Sequence, residues 1–199
     1  GDGWADAAEE VAHYALARYD RTTEHYTMLH PVMEYARRKL DESEGDDFRR
    51  RAAKFWMEFA QLQDLMMDVR PAAQEKVAEL LNLPDELEVR RLVWEQLRSS
   101  AFAAMIMEED NLVHSAEWTF GVEDDTGFQI VGALQDYLSL RAGWYTKEHL
   151  YRLALTRRRA LAEVDPQKYL PDVAMTLNNM GALHDDMGHP DEALEHYKE

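Results

Sequence analysis

Eight histidines and thirty-nine acidic residues are the groups through which this chain could do chemistry, and their spacing argues against most of it. His25 and His30, and again His184 and His189, stand five residues apart. Two metal ligands on one helix face need a separation of four, and Gly188 interrupts the second pair. His184-Asp185-Asp186 gathers acceptors on one turn, as polar helix surfaces commonly do, and Glu123-Asp124-Asp125 lacks the alternating ligands and the glycine of a calcium loop. No metal is expected. Cysteine is absent, which removes thiolate ligands and cysteine nucleophiles together, serine is scarce, and no Gly-x-Ser-x-Gly occurs. Carboxylate pairs are too numerous to single out a general acid and base. A Gly-x-x-x-x-Gly-Lys-Ser/Thr loop to cradle a nucleotide is also missing. The expectation is a chain that binds rather than catalyses, with no cofactor of its own.

The composition narrows what it binds. A net charge of −17 repels phosphate backbones over much of the surface, which disfavours nucleic acid. Arg37-Arg38-Lys39, Arg49-Arg50-Arg51 and Arg157-Arg158-Arg159 each occupy one helical turn, where successive residues splay around the circumference and form no stripe. An apolar content of 46%, with ten Met and five Trp, supports a folded protein. No apolar run reaches the ~18 residues that span a bilayer, and the first residues are polar and acidic where a secretory signal is basic and then apolar. With no cysteine, a cytoplasmic location with no membrane partner is expected.

The elements that must position any binding surface read as helices. Apolar residues recur at helical spacing over Ala5 to Ala17. Leu16 to Asp20 and His25 to Leu29, flanking the polar Arg21-Thr-Thr-Glu24, then predict a β-hairpin. Pro31 suits the first position of a helix carrying Val32, Tyr35, Ala36 and Leu40. Helix, hairpin, helix is the ending of a winged-helix domain. After a charged break at 41–47, Phe48 to Asp68 places Ala52, Phe55, Trp56, Phe59, Leu62 and Met66 on one face. Pro71 and Pro84 open helices over Pro71 to Leu81 and from Asp85 to about Ala104, the latter with Leu92, Val93 and Leu97 as core positions. Glu108 to Phe120 and Phe128 to Ala142 read as a further antiparallel pair.

The last twenty-six residues fit a tetratricopeptide (TPR) repeat, two antiparallel helices of fixed packing sizes, about 34 residues per unit. Leu177, Met180 and Gly181 fill the first-helix places, Gly188 makes the turn, and Ala193 and Tyr197 interlock from the second helix. His184 stands where an aromatic is usual. The repeat stops before its final turn, so the chain reads as cut from a longer array, with self-association through the open end as one consequence. Gly143 and Tyr151 mark an earlier, degenerate unit, one residue shorter than Gly188 and Tyr197, with a connection over Asp165 to Asp172. The expected fold is all-α: a winged-helix remnant over 1–42, a helical linker of TPR-like hairpins over 46–122, and a degenerate followed by a truncated repeat over 125–199. First-helix side chains line the concave groove of such a solenoid. Here they are Met175, Asn178, Asn179, Ala182, Asp185 and Asp186, with Tyr137, Leu140 and Arg141 from the preceding hairpin. Asn179 stands out because an amide both donates and accepts. A protein or peptide is the expected partner, and a groove without lysine does not clamp a terminal carboxylate.

Three segments in order resemble the downstream half of STAND-class ATPases, the signal-transducing ATPases with numerous domains. Tyr26-Thr-Met-Leu-His-Pro-Val-Met-Glu-Tyr-Ala36 is similar to the winged-helix segment of that family, where a His follows the last wing strand. Glu108-Glu-Asp-Asn-Leu-Val-His-Ser-Ala-Glu-Trp118 looks like its helical-linker signature, and Ala133-Leu-Gln-Asp-Tyr137 with Arg141-Ala-Gly143 resembles the first degenerate TPR helix. The resemblance implies a sensor and linker region whose nucleotide module lies upstream in a longer parent, where ADP or ATP binds. It also implies that His30 contacts the β-phosphate of ADP in an intact ATPase, although Pro31 stands where many eukaryotic members have Asp. A free-standing TPR adaptor or scaffold without a nucleotide switch is the alternative.

Overall fold

The computed structural model describes residues 17–20, 25–28, 45–84 and 86–199. The chain divides into two compact units, Gly1–Arg49 and Arg50–Glu199. In the first, β1 (Ala17–Asp20) and β2 (His25–Met28) pair antiparallel, with Ala17 opposite Met28 and Tyr19 opposite Tyr26. The helices expected over Ala5 to Ala17 and from Pro31, and His30 itself, lie outside the described residues.

The second unit is all-α. Its helices are α1 (Gly45–Met67, which begins in the first unit), α2 (Pro71–Leu80), α3 (Leu87–Gly121), α4 (Thr126–Leu140), α5 (Trp144–Val164), α6 (Pro166–Asp186) and α7 (Pro190–Lys198). Two sequence expectations need correction. The segments Asp85 to Ala104 and Glu108 to Phe120 are one helix of 35 residues. Ala101 to Glu109 contains neither Gly nor Pro and is rich in Ala, Met and Glu, so nothing interrupts propagation. Nor is there an eight-residue connection before α6. Asp165 alone joins the helices and caps the second, its Oδ1 accepting from the Lys168 amide at 3.2 Å, with Pro166 in the first turn. Pro171 sits inside this helix and withholds one N–H from its exposed first turns, where water can take the freed carbonyl.

Four helices end in the same way. Asn82, Glu123, Ala142 and Gly188 have φ of 50°, 60°, 56° and 78°. The amide after each donates to the carbonyl five residues back: Leu83 to Ala78, Asp124 to Thr119, Gly143 to Leu138 and His189 to His184, at 2.7–2.9 Å. This is the left-handed C-terminal turn of the Schellman motif. It corrects the register of the earlier unit, because the counterpart of Gly188 is Ala142, while Gly143 has an ordinary negative φ and precedes α5. Tyr151 and Tyr197 then each follow their left-handed residue by nine positions, and the apparent one-residue deletion disappears.

Consecutive helices from α3 onward pack antiparallel. Phe120 meets Phe128 edge-on at 5.2 Å beside the α3–α4 turn, where a Cβ on Gly127 would sit 2.5 Å from Thr119 Oγ1. Arg158 reaches the Asp172 carbonyl while Glu148 lies beside His184, which fixes α5 against α6. The Tyr197 ring occupies the space a Cβ on Gly181 would fill, so glycine there lets α7 close on α6. The core runs through Met105, Leu112, Ile130, Leu134, Tyr137, Leu138, Leu150 and Leu183. In α1 the buried stripe is Ala53, Ala60 and Met67, whereas Phe55 and Leu62 are exposed. Small residues are the fully buried ones there, and Trp56, Phe59 and Met66 are half-buried against the core, while Phe55 contacts the Trp56 ring from outside. In α3, Leu92 is exposed and Val93 and Leu97 half-buried, while Trp94, Ala101, Met105, Leu112 and Ala116 carry the core.

Candidate functional site

On α6 the positions Met175, Asn178, Ala182, Asp185 and Asp186 form one exposed stripe, and Asn179 lies half-buried at its edge. The other side of the helix explains why. Val173, Thr176, Leu177, Met180, Leu183 and His184 face α5 and α7, and helical spacing leaves the remaining positions outward. Asp185 accepts from the Tyr197 hydroxyl at 3.0 Å.

The matching stripe on α4 follows from the corrected register. Moving back 46 residues, the separation of Ala142 from Gly188, takes Met175, Asn178, Ala182, Asp185 and Asp186 to Gln129, Gly132, Asp136, Ser139 and Leu140. Gln129, Gly132, Asp136 and Leu140 are exposed and Ser139 is half-buried. Leu140 therefore belongs to the surface, but Tyr137 does not. Its counterpart is Leu183, and both are core, Tyr137 with 0% exposure. The Tyr137 hydroxyl donates to Glu109 of α3, and burial with that carboxylate pushes its pKa well above the ordinary phenol value. Arg141 pairs with the same Glu109 and lies against the Tyr137 ring at 5.9 Å. The two residues, four apart, tie α4 to α3, with Tyr137 buried away from the surface and Arg141 still exposed at the end of α4.

In their place the structure brings in groups from neighbouring helices. Gln61 of α1 donates to Gln129 at 3.2 Å, and Asp64, a half-buried neighbour on the same helix, faces Asp136. Burial first, then Asp136 and Asp68, raise the Asp64 pKa to about 6. Asp68 is bound by Arg70 at 2.9 Å and is held below the usual carboxylate range. Lys147 of α5 donates to Ser139 Oγ at 2.6 Å and feels both Asp136 and Asp186, while burial lowers its pKa. Carboxylates from α1, α4 and α6 thus share one face with two cations already engaged. Asp64 and Lys147 gave no sequence signal, since neither helix period nor repeat offset links α1 or α5 to the stripe. Asp136 was legible once the turn was placed at Ala142.

His184 shows what its departure from an aromatic does. It is 7% exposed, its ring centre lies 5.1 Å from that of His196 and 6.0 Å from that of His189, and Nε2 is 3.6 Å from Glu148. Burial and the neighbouring His184 depress the His196 pKa. Among the described residues no group of His, Asp and Glu is placed to hold a metal ion. No helix among them is long and apolar enough to cross a membrane. Comparison of the chain with protein-family models, curated proteins and solved structures gives no match.

Proposed function

We propose that this chain is a protein-binding module built as a TPR-like helical solenoid, and that its partner is an extended segment bearing Lys or Arg. The observation that carries the reading is the exposed stripe that α4 and α6 each present at the same offset, which includes Asp136, Asp185 and Asp186, with Asp64 of α1 beside Asp136. Asn178 and Asn179 supply amides to a bound backbone, Met175 and Leu140 supply apolar contact, and the carboxylates favour cationic side chains. Neither catalysis nor a cofactor in this chain is part of the reading. The resemblance to STAND-class regulators supports a sensor role, in which a ligand biases an upstream nucleotide module by binding one arrangement better than the other. In that setting the hairpin of β1 and β2 belongs to a winged helix and His30 contacts ADP. A free-standing adaptor is the second reading, and a P-loop in the coding frame upstream of Gly1 separates the two.

The binding claim is tested by selecting peptides from a random library on the immobilised chain. Selected sequences should be enriched in Lys and Arg and lose at least fivefold in affinity with Asp136→Asn and Asn178→Ala, since a charge-assisted contact is worth about 1.5–3 kcal/mol. Selection of neutral or acidic peptides would overturn it.

A further inference from the structure

Three imidazoles meet where α7 closes on α5 and α6. His184 of α6 is 7% exposed, and its ring centre lies 5.1 Å from that of His196 in α7 and 6.0 Å from that of His189, the residue that precedes α7. Both His184 nitrogens are buried from solvent, and neither has a hydrogen-bond partner. Imidazole is the side chain whose charge changes near neutral pH, ordinarily around 6.5. Two rings at this distance, one of them out of reach of water, are unstrained when neutral and repel when both carry a proton.

The nearby carboxylates do not offset that repulsion. Glu148 of α5 comes within 3.6 Å of His184 Nε2 through its Oε1. The same oxygen accepts from Arg152 at 2.6 Å, so its charge is already matched. Burial opposes a proton on His196 most strongly, followed by His184 and Arg152, while Glu148 and Glu195 favour it. On α6, Asp185 is engaged by the Tyr197 hydroxyl at 3.0 Å, and after α7 the Glu199 carboxylate pairs with Arg159 of α5. The outcome is a His196 held below its ordinary pKa while α7 is docked. That contribution to docking is fully present above about 6.5 and is lost as pH falls. The hold on α7 is also slight. Ala193 alone is buried among its nine residues, and the Tyr197 ring over Gly181 is its other close contact. An element with so little buried surface opens at low free energy.

We propose that the His184–His196 pair is a proton-operated latch, which keeps α7 docked at neutral pH and releases it in mild acid. Release takes the Tyr197 hydroxyl away from Asp185 and uncovers the Gly181 face of α6, while α3 to α5 keep their packing.

The absence of cysteine allows a direct test on the full chain. Ala193→Cys places one thiol where the docked helix leaves 0% exposure, and Ala182→Cys places one on the exposed face of α6. Each reacts with 4,4′-dithiodipyridine at pH 7.5, 6.5 and 5.5, and the ratio of the two rates removes the pH dependence of the thiol itself. That ratio, buried over exposed, should rise at least threefold from pH 7.5 to 5.5. One imidazole that docking keeps neutral supplies up to about tenfold at one pH unit below its ordinary value. His184→Phe, which keeps an aromatic ring, and His196→Gln should each flatten the profile. If His184→Phe does not fold, His196→Gln decides. Amide resonances of residues 190–198 in the unsubstituted chain give the same readout without a thiol, and should move toward random-coil positions over the same interval. A flat wild-type ratio, resonances that stay in place, an equal rise in His196→Gln, or a rise confined to below about pH 4.5, where carboxylates take up protons, overturns the latch.

Discussion

Ala142 is the most informative single position for the repeat register, because it holds a left-handed backbone that its counterpart Gly188 adopts at no steric cost. A non-glycine residue in that conformation loses roughly 1–2 kcal/mol to its Cβ, while glycine adds about 0.5–1 kcal/mol of unfolded-chain entropy. Ala142→Gly should therefore stabilise the fold by about 0.5–1 kcal/mol, and Gly188→Ala should destabilise it by a similar amount. Nothing lies within 4 Å of a Cβ built on Gly188, so the loss there is backbone strain without a packing clash. In a unit of this size, 1 kcal/mol moves the thermal midpoint by about 2–4 °C. The control is Ala182→Gly, the same chemical change at an exposed position inside α6, which should cost about 1 kcal/mol. Urea and thermal unfolding of the three variants give the comparison. If Ala142→Gly destabilises as Ala182→Gly does, Ala142 is not a left-handed cap and the offset linking α4 to α6 fails with it.

Other expectations follow from the packing and the acidic face. Gly127→Ala should cost about 1–3 kcal/mol, measured by urea unfolding, since its Cβ would press on buried Thr119 beside the Phe120 ring; an unchanged midpoint would mean α4 does not approach α3 so closely. Tyr137→Phe should lower stability by about 1 kcal/mol through loss of the Glu109 hydrogen bond. It should leave peptide affinity unchanged, and weaker binding would return Tyr137 to the groove. Asp64 has a folded pKa near 6 against 3.8 in its ordinary state. The folded protein thus holds its proton more tightly, and the resulting stability is full below 3.8 and lost as pH rises through 6. Asp64→Asn should therefore gain on wild type as pH rises over that interval in urea midpoints, and parallel profiles would contradict the burial argument. A basic peptide should bind more tightly at pH 7 than at pH 5 as Asp64 ionises, and fluorescence anisotropy at the two values checks this.

Helix starts were the most readable feature. Pro71 stands in the first turn of α2 as expected, because proline withholds an N–H that is unpaired there anyway, whereas Pro166, read from the sequence as part of a connection, also opens a helix. Helix faces were less readable. Counting apolar residues in α1 favours the side with Phe55 and Leu62, yet the buried side is built on Ala53 and Ala60, where small size permits close approach. Hydrophobicity alone does not encode that preference. The turn was misplaced by one residue because glycine normally marks the left-handed position, and here Ala142 takes it with Gly143 immediately after. That single shift moved the predicted α4 stripe from Asp136, Ser139 and Leu140 to Tyr137, Leu140 and Arg141.

The most direct measurement of the binding claim is amide hydrogen exchange on the chain with and without a library-selected basic peptide. Peptide-dependent protection is predicted along α4 and α6, over residues 129–140 and 175–186, with α3 and the outer side of α7 unchanged. Protection confined to α2 and α3, or to the exposed face of α7, would contradict a groove on the α4–α6 face.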